Sequence, residues 1–218
     1  MPVALLLIEA TDPRRRLGLR AALAALAPQG AVLLVGAAAA LASPTYRALL
    51  ATSLDARSLL TNLRTQADAV VYLGGQLVRL DRLNADPLLA VRQAWTPGLA
   101  LEATALIALV AAGFACLRTR PGLAFGVLWF FLWLAPTNSL LPRLDVANDR
   151  QLYLASVGPA WLLVTSAARF FARRGVMLAA VLGLGLVLGV ATGRRNAVYA
   201  SEIALAEGAL PDVAAECR

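Results

Sequence analysis

Five long apolar runs constrain this chain more than any other feature. Residues 21–43, 97–117, 122–141, 151–171 and 175–193 each carry at most one charged side chain. At about 1.5 Å of rise per residue, each is long enough as a helix to cross a hydrocarbon core of about 30 Å. Their apolar residues are not confined to the single stripe that a helix on a soluble core shows. Backbone amides in lipid must bond internally, so only helices and closed barrels span a bilayer. A barrel needs period-two alternation in segments of about 10 residues, and the sequence has none. The composition agrees, with 60% hydrophobic and 15% charged residues and a mean hydropathy of +0.70, where soluble domains carry roughly 25% charged residues. The expected fold class is all-α, a polytopic transmembrane helix bundle.

The net charge of +7 rests on arginine alone, since the chain has neither lysine nor histidine. In a soluble domain that balance points to nucleic acid. Here the arginines gather at the ends of the apolar runs, so membrane lipid is the expected partner and nucleic acid is not. The lack of histidine excludes a Ser-His or Cys-His dyad, and no Cys/His metal spacing occurs. Cys116 lies in an apolar run and Cys217 beside the C-terminus, on different membrane levels, so no mutual disulfide is expected.

The arginines orient the runs. Pro2 to Ile8 is too short to span and lacks a basic n-region; it reads as the last turns of a membrane helix. Arg14, Arg15, Arg16 and Arg20 follow and belong in the cytoplasm by the positive-inside rule. Run 21–43, with a kink expected at Pro28-Gln29-Gly30, leads outward to the segment 44–96. Within it, Leu60, Leu63, Ala67, Val70, Val71, Gly74, Leu77 and Val78 recur at helical spacing. Thr61, Arg64, Thr65, Asp68, Gln76 and Arg79 take the other face. The spacing predicts an amphipathic helix lying in the outer interface; a crossing would bury Arg64 and Asp68. The remaining runs then alternate so that Arg118, Arg120, Arg169, Arg173 and Arg174 are all cytoplasmic. The organisation expected is a bundle over 1–193, with about five full spans, a partial N-terminal helix and one interfacial helix. A short extracytoplasmic tail follows over 194–218.

Polar groups at membrane depth are costly and so mark candidate sites. Glu102 sits about one turn into its run, as an ion-pair or substrate contact or as a carboxylate that reaches back to the interface near Trp95. The densest polar stretch runs from Pro136-Thr137-Asn138-Ser139 through Arg143, Asp145 and Asp149 to Arg150 and Tyr153. Pro136 and Pro142 free backbone groups from helical bonding there. Arg143 and Arg150 suit bidentate binding of a phosphate. Asp145 and Asp149 suit tuning those arginines, or holding a divalent metal through the phosphate. The plain alternative is a polar inter-helix loop with local Arg-Asp pairs.

Residues 132–158 resemble a segment of the GT-C type multi-spanning glycosyltransferases, nearest to the transmembrane and tetratricopeptide-repeat O-mannosyltransferases and their bacterial relatives. The family pattern is a Leu-Pro-x-Ser/Asn pair, a short loop and Glu-Arg-x-Leu-Tyr-Leu-Pro. Here it reads Pro136-Thr137-Asn138-Ser139, then Asp149-Arg150-Gln151-Leu152-Tyr153-Leu154. Asp149 stands for Glu and Ala155 for Pro. Leu59-Leu60-Thr61, Thr65-Gln66 and Tyr72-Leu73, followed by Leu83-Asn84-Ala85-Asp86, resemble an earlier family segment. Arg195-Asn196 with Tyr199 and Glu202 resembles a later one.

The resemblance implies a polyprenyl-phosphate sugar as donor and transfer on the extracytoplasmic side of a bacterial inner membrane. It implies lipid-phosphate contacts at Arg143, Arg150, Asp149, Tyr153 and Asn138, with Gln66 and Tyr72 lining the donor groove. The family's catalytic acid lies in a first outer loop with no counterpart here, so none of these residues is expected to be catalytic. No cofactor is expected beyond a metal held through phosphate, and a second membrane chain is an expected partner. A non-catalytic membrane scaffold subunit of a larger complex is the alternative.

Overall fold

The computed structural model describes residues 2–12, 19–79, 87, 89–136, 138, 146–170 and 174–198. The described chain is all-α, with no strand. Its helices are α1 (Pro2–Thr11), α2 (Leu19–Ala42), α3 (Pro44–Ala56), α4 (Leu59–Gln76), α5 (Pro97–Ala115), α6 (Pro121–Leu134), α7 (Leu152–Ala155), α8 (Val157–Phe170) and α9 (Arg174–Val198). A 3-10 turn over Asp149–Gln151 leads into α7.

The starts of these helices are written in the sequence. Ser43, Ser58 and Thr96 each accept a bond from the backbone N–H three residues on, at 3.5, 3.2 and 3.2 Å. These are N-caps that satisfy donors left open in a first turn. Pro44 and Pro97 follow at the first helical position, where a missing N–H costs nothing. The Ser43-Pro44 signal starts α3, a helix that the apolar pattern of 44–96 had not announced. α2 and α3 meet there at a bend of 84°. Pro28, where a kink was expected, lies inside α2, which runs through it as a single element.

One described helix, Pro97–Ala115, is long and apolar enough to cross a membrane, and a second counts if the bent pair Leu26–Ala42 and Pro44–Ser53 is taken as one span. Pro121–Leu134, Leu152–Ala168 and Leu178–Gly193 are apolar but shorter. Of the expected run 122–141, α6 covers the residues up to Leu134. Pro136 explains the early stop: Ala135 is still in helical conformation, but Pro136 has no N–H to give to the Leu132 carbonyl. One further turn forms as the Asn138 N–H donates to the Leu134 carbonyl at 2.7 Å. The run 151–171 is broken at Ser156 into α7 and α8.

α6 is the central helix, packed against α8, α5, α1 and α7. Its crossing with α8 is close because glycines meet there. A Cβ on Gly158 would overlap the Gly126 carbonyl oxygen and lie 3.1 Å from the Phe130 nitrogen. A Cβ on Gly126 would strike the Leu162 side chain. On the other side Gly113 of α5 receives Leu128, whose Cδ2 lies 2.9 Å from where a Cβ would stand. Small residues at contact points let helix backbones approach, the usual device for helices that lack a hydrophobic drive to associate. The Trp129 indole N–H donates to the Leu154 carbonyl at 2.8 Å and so braces the α7–α8 break. The core gathers at one end of this arrangement. Ala69, Val70 and Leu73 of α4 meet Phe130 and Leu134 of α6, Val146, Ala147, and Leu152 and Ala155 of α7.

Candidate functional site

The site grows out of the inner face of α4. Asn62, Thr65, Gln66, Ala69, Val70, Leu73 and Gln76 are its buried residues. They recur at three- and four-residue intervals, the spacing of one helical face. Of the apolar face expected in this segment, Val70 is buried, but Leu60, Leu63, Val71 and Val78 are exposed. Helical periodicity is present as expected, and the buried face of α4 combines the uncharged polar Asn62, Thr65, Gln66 and Gln76 with Ala69, Val70 and Leu73, while Leu60 and Leu63 lie outside it.

Two of the singled-out residues, from different motifs, meet in this interior. Asn138 Nδ2 donates to Gln66 Oε1 at 2.8 Å. Gln66 Nε2 donates to the Val146 carbonyl at 3.4 Å, and Asn138 Nδ2 also reaches that carbonyl at 3.5 Å. Gln66 is 3% and Asn138 8% exposed. Burying an amide is favourable only when its bonds are made inside; the two side chains and one carbonyl achieve this together. The triangle ties α4 to both sides of the segment between α6 and α7. Tyr72 is partly buried and packs against the core beside it.

Arg150 and Tyr153 sit differently. The Arg150 side chain is exposed, and its backbone N–H donates to Asn148 Oδ1 at 3.0 Å, the turn an Asn two residues earlier favours. Tyr153 is 82% exposed. The two lie three residues apart in one helical stretch and so share a face. Of Asp149 the backbone is described, in the 3-10 turn. Arg143, Asp145, Thr137, Ser139 and the segments 83–86 and 199–202 lie outside the described residues. The candidates therefore divide into an interior pair, Gln66 and Asn138, with Tyr72 packed on the same core, and two exposed residues, Arg150 and Tyr153. No group of three or more Cys, Asp or Glu side chains converges among the described residues.

A second cluster was not anticipated. Residues 89–96 run along α4 rather than away from it. The Arg92 N–H donates to Thr65 Oγ1 at 3.0 Å, and Thr65 Oγ1 itself donates to the Thr61 carbonyl at 2.8 Å. Arg92 Nε pairs with Asp68 Oδ2 at 2.8 Å. Arg64 Nη1 donates to the Gln93 carbonyl at 2.6 Å, and its guanidinium lies 5.6 Å from the Trp95 ring centroid, within cation–π range. The Arg92 guanidinium is held above its ordinary pKa, first by the hydrogen bond to Asp68 and then by that carboxylate's field. Partial burial opposes this, and Glu102 adds a smaller favourable field. The one available sequence signal was charge spacing: Arg64 and Asp68 stand at an i, i+4 interval on α4. Their partners across the loop had no local signature.

No protein-family model matches this chain, and neither a curated protein nor a solved structure matches it.

Proposed function

We propose that this chain is a polytopic membrane protein of the inner membrane, the membrane-embedded portion of a polyprenyl-phosphate-sugar-dependent glycosyltransferase-like protein. It acts on the extracytoplasmic side and contributes the lipid-phosphate end of the site rather than the catalytic acid. The membrane part of this reading is supported by where the apolar side chains point. Along α2 and α9, Val32, Leu33, Leu34, Val35, Leu182, Leu184, Leu186 and Val187 are all exposed, Leu186 by 71%. Soluble surfaces rarely tolerate such continuous apolar cover, whereas lipid requires it. The exposed leucines of α4, set over a partly polar inner face, suit a helix embedded at the interface.

The observation that carries the glycosyltransferase reading is the Gln66–Asn138 bond. Both residues come from stretches that resemble the family, and they bond directly to each other. The interior triangle anchors the chain at Val146, just before Arg150, and an exposed guanidinium and an exposed phenol three residues apart suit a phosphate with a sugar or prenyl group attached. The test is binding of a polyprenyl-phosphate sugar to the purified chain in lipid nanodiscs. Saturable binding that Arg150→Ala abolishes supports the reading. Absence of binding, or an Arg150→Ala variant indistinguishable from the parent, removes it.

The scaffold reading is favoured by α9, which makes no substantial packing contact with any other described helix. It offers an apolar surface to a second membrane chain. A scaffold would retain such a chain through detergent extraction while binding no donor lipid.

A further inference from the structure

A cavity of about 380 Å³ opens between α1, α5 and α6, away from the Gln66–Asn138 interior. Every residue that lines it is apolar; Leu7, Val110, Phe114, Leu117, Leu128 and Phe131 form most of its wall. The wall extends along α5 and α6 in parallel with their axes. Gly113 packs against Leu128, so Val110 to Leu117 on α5 stand alongside the middle of α6. One of its lining residues, Leu117, belongs to the α5–α6 turn. That turn is tight: the Leu117 N–H bonds to the Phe114 carbonyl at 3.2 Å and the Arg120 N–H to the Cys116 carbonyl at 2.8 Å. Arg118 follows the lining residue Leu117 directly and Arg120 stands two residues further on, and both are exposed. No carboxylate lies in the sequence between Cys116 and Leu134; the acidic side chains next to the groove in sequence are Glu9 and Asp12, beside its lining residue Ala10 on α1. Trp161 packs on Phe125 in the first turns of α6, with its indole nitrogen 3.6 Å from where a Gly122 Cβ would stand. A half-exposed Trp there fits the aromatic belt at a membrane–water boundary.

We propose that this groove is a binding site for one anionic phospholipid of the cytoplasmic leaflet. One acyl chain lies along Phe114, Leu117, Leu128 and Phe131, and the phosphate rests on Arg118 and Arg120. The groove has no polar group that would order water or recognise a polar ligand, and its volume suits one chain rather than a bulky fused-ring lipid. The charge of these two arginines selects the headgroup, since the cytoplasmic leaflet carries the anionic lipids that attract juxtamembrane arginines. The proposal rests on the polytopic membrane reading but not on the glycosyltransferase one, because the groove and the Arg150 face are different surfaces.

The test uses the full chain purified in a mild detergent, delipidated, and titrated with phosphatidylglycerol or phosphatidylcholine while native mass spectrometry counts bound lipid. The parent is expected to retain phosphatidylglycerol with a preference on the order of tenfold, as two surface arginines allow. The Arg118→Gln/Arg120→Gln variant is expected to bind both lipids alike. Val110→Trp, which fills the groove, is expected to lose the tightly held lipid of either kind, and its thermal transition reports whether it is folded. Equal retention of the two lipids by the parent overturns the proposal, as does an unchanged preference in the double arginine variant. Alkaline carbonate extraction of membranes tests the membrane reading separately: release of the chain sinks that reading before any lipid is counted. Donor-sugar binding that fails while phosphatidylglycerol selectivity holds removes only the glycosyltransferase reading.

Discussion

Asn138 donates a 2.8 Å hydrogen bond to Gln66 across 72 residues of sequence, and both side chains are buried. This bond joins two stretches that were singled out separately, and the shared Val146 carbonyl anchors the chain just before the exposed Arg150 and Tyr153.

Replacing Asn138 by Leu is expected to strand the Gln66 Oε1, which accepts from it. An unsatisfied buried polar group costs about 1–3 kcal/mol, so the thermal transition in detergent should fall clearly. Gln66→Leu in the same chain should recover part of the loss, since removing both partners is milder than removing one. A double-mutant cycle should give a coupling of about 1 kcal/mol, in the range found between membrane helices. Additive single effects would show that the bond contributes nothing.

Gly158→Val tests the α6–α8 crossing. Its side chain would collide with backbone atoms of α6, which cannot move aside as a flexible side chain could. Overpacking of this kind costs about 1–3 kcal/mol or more, read as loss of a monodisperse species in size-exclusion chromatography. Gly185→Val is the matched control: nothing lies within 4 Å of its Cβ position, so it should behave as the parent does.

Arg92 gives a pH prediction. Its pKa is raised on folding, so its contribution is complete below the ordinary guanidinium value and is lost only as pH climbs through the higher folded value. Through neutral and mildly alkaline pH its share of stability should be flat. The Arg92 side chain is 47% exposed, so Arg92→Ala should cost under about 1 kcal/mol. The parent and variant stability curves should run parallel over that range when followed by circular dichroism.

Tyr153→Ala separates binding from folding. A residue that is 82% exposed and packs on little should change stability by no more than about 0.5 kcal/mol. If Tyr153 belongs to the donor site, donor affinity should fall while the thermal transition stays put. An unchanged affinity would remove Tyr153 from that site.

Topology can be checked directly. With Cys116 and Cys217 replaced by Ser, Arg118→Cys and Tyr153→Cys should label from opposite sides of sealed membrane vesicles with an impermeant maleimide. Labelling from the same side would contradict the alternation of runs 97–117, 122–141 and 151–171.

The sequence by itself determined that the chain is helical and where most helices lie. α5 fills its apolar run almost residue for residue, and Ser43, Ser58 and Thr96 mark three starts because capping is a local bond within one turn. It also held the amide residues of the site, as isolated letters in family-like stretches. Only the tertiary structure decided how those elements are used. It divided the run 151–171 at Ser156. It turned the Asn62–Gln66–Gln76 face of α4 inward, although the apolar pattern of that helix was as visible as its polar one. Periodicity shows that a helix has two faces; which face is buried depends on what the neighbouring elements offer. Here the interior offers the Asn138 amide and the Val146 carbonyl, polar groups whose bonds must be made inside once water is excluded, and Gln66 is the side chain that reaches them.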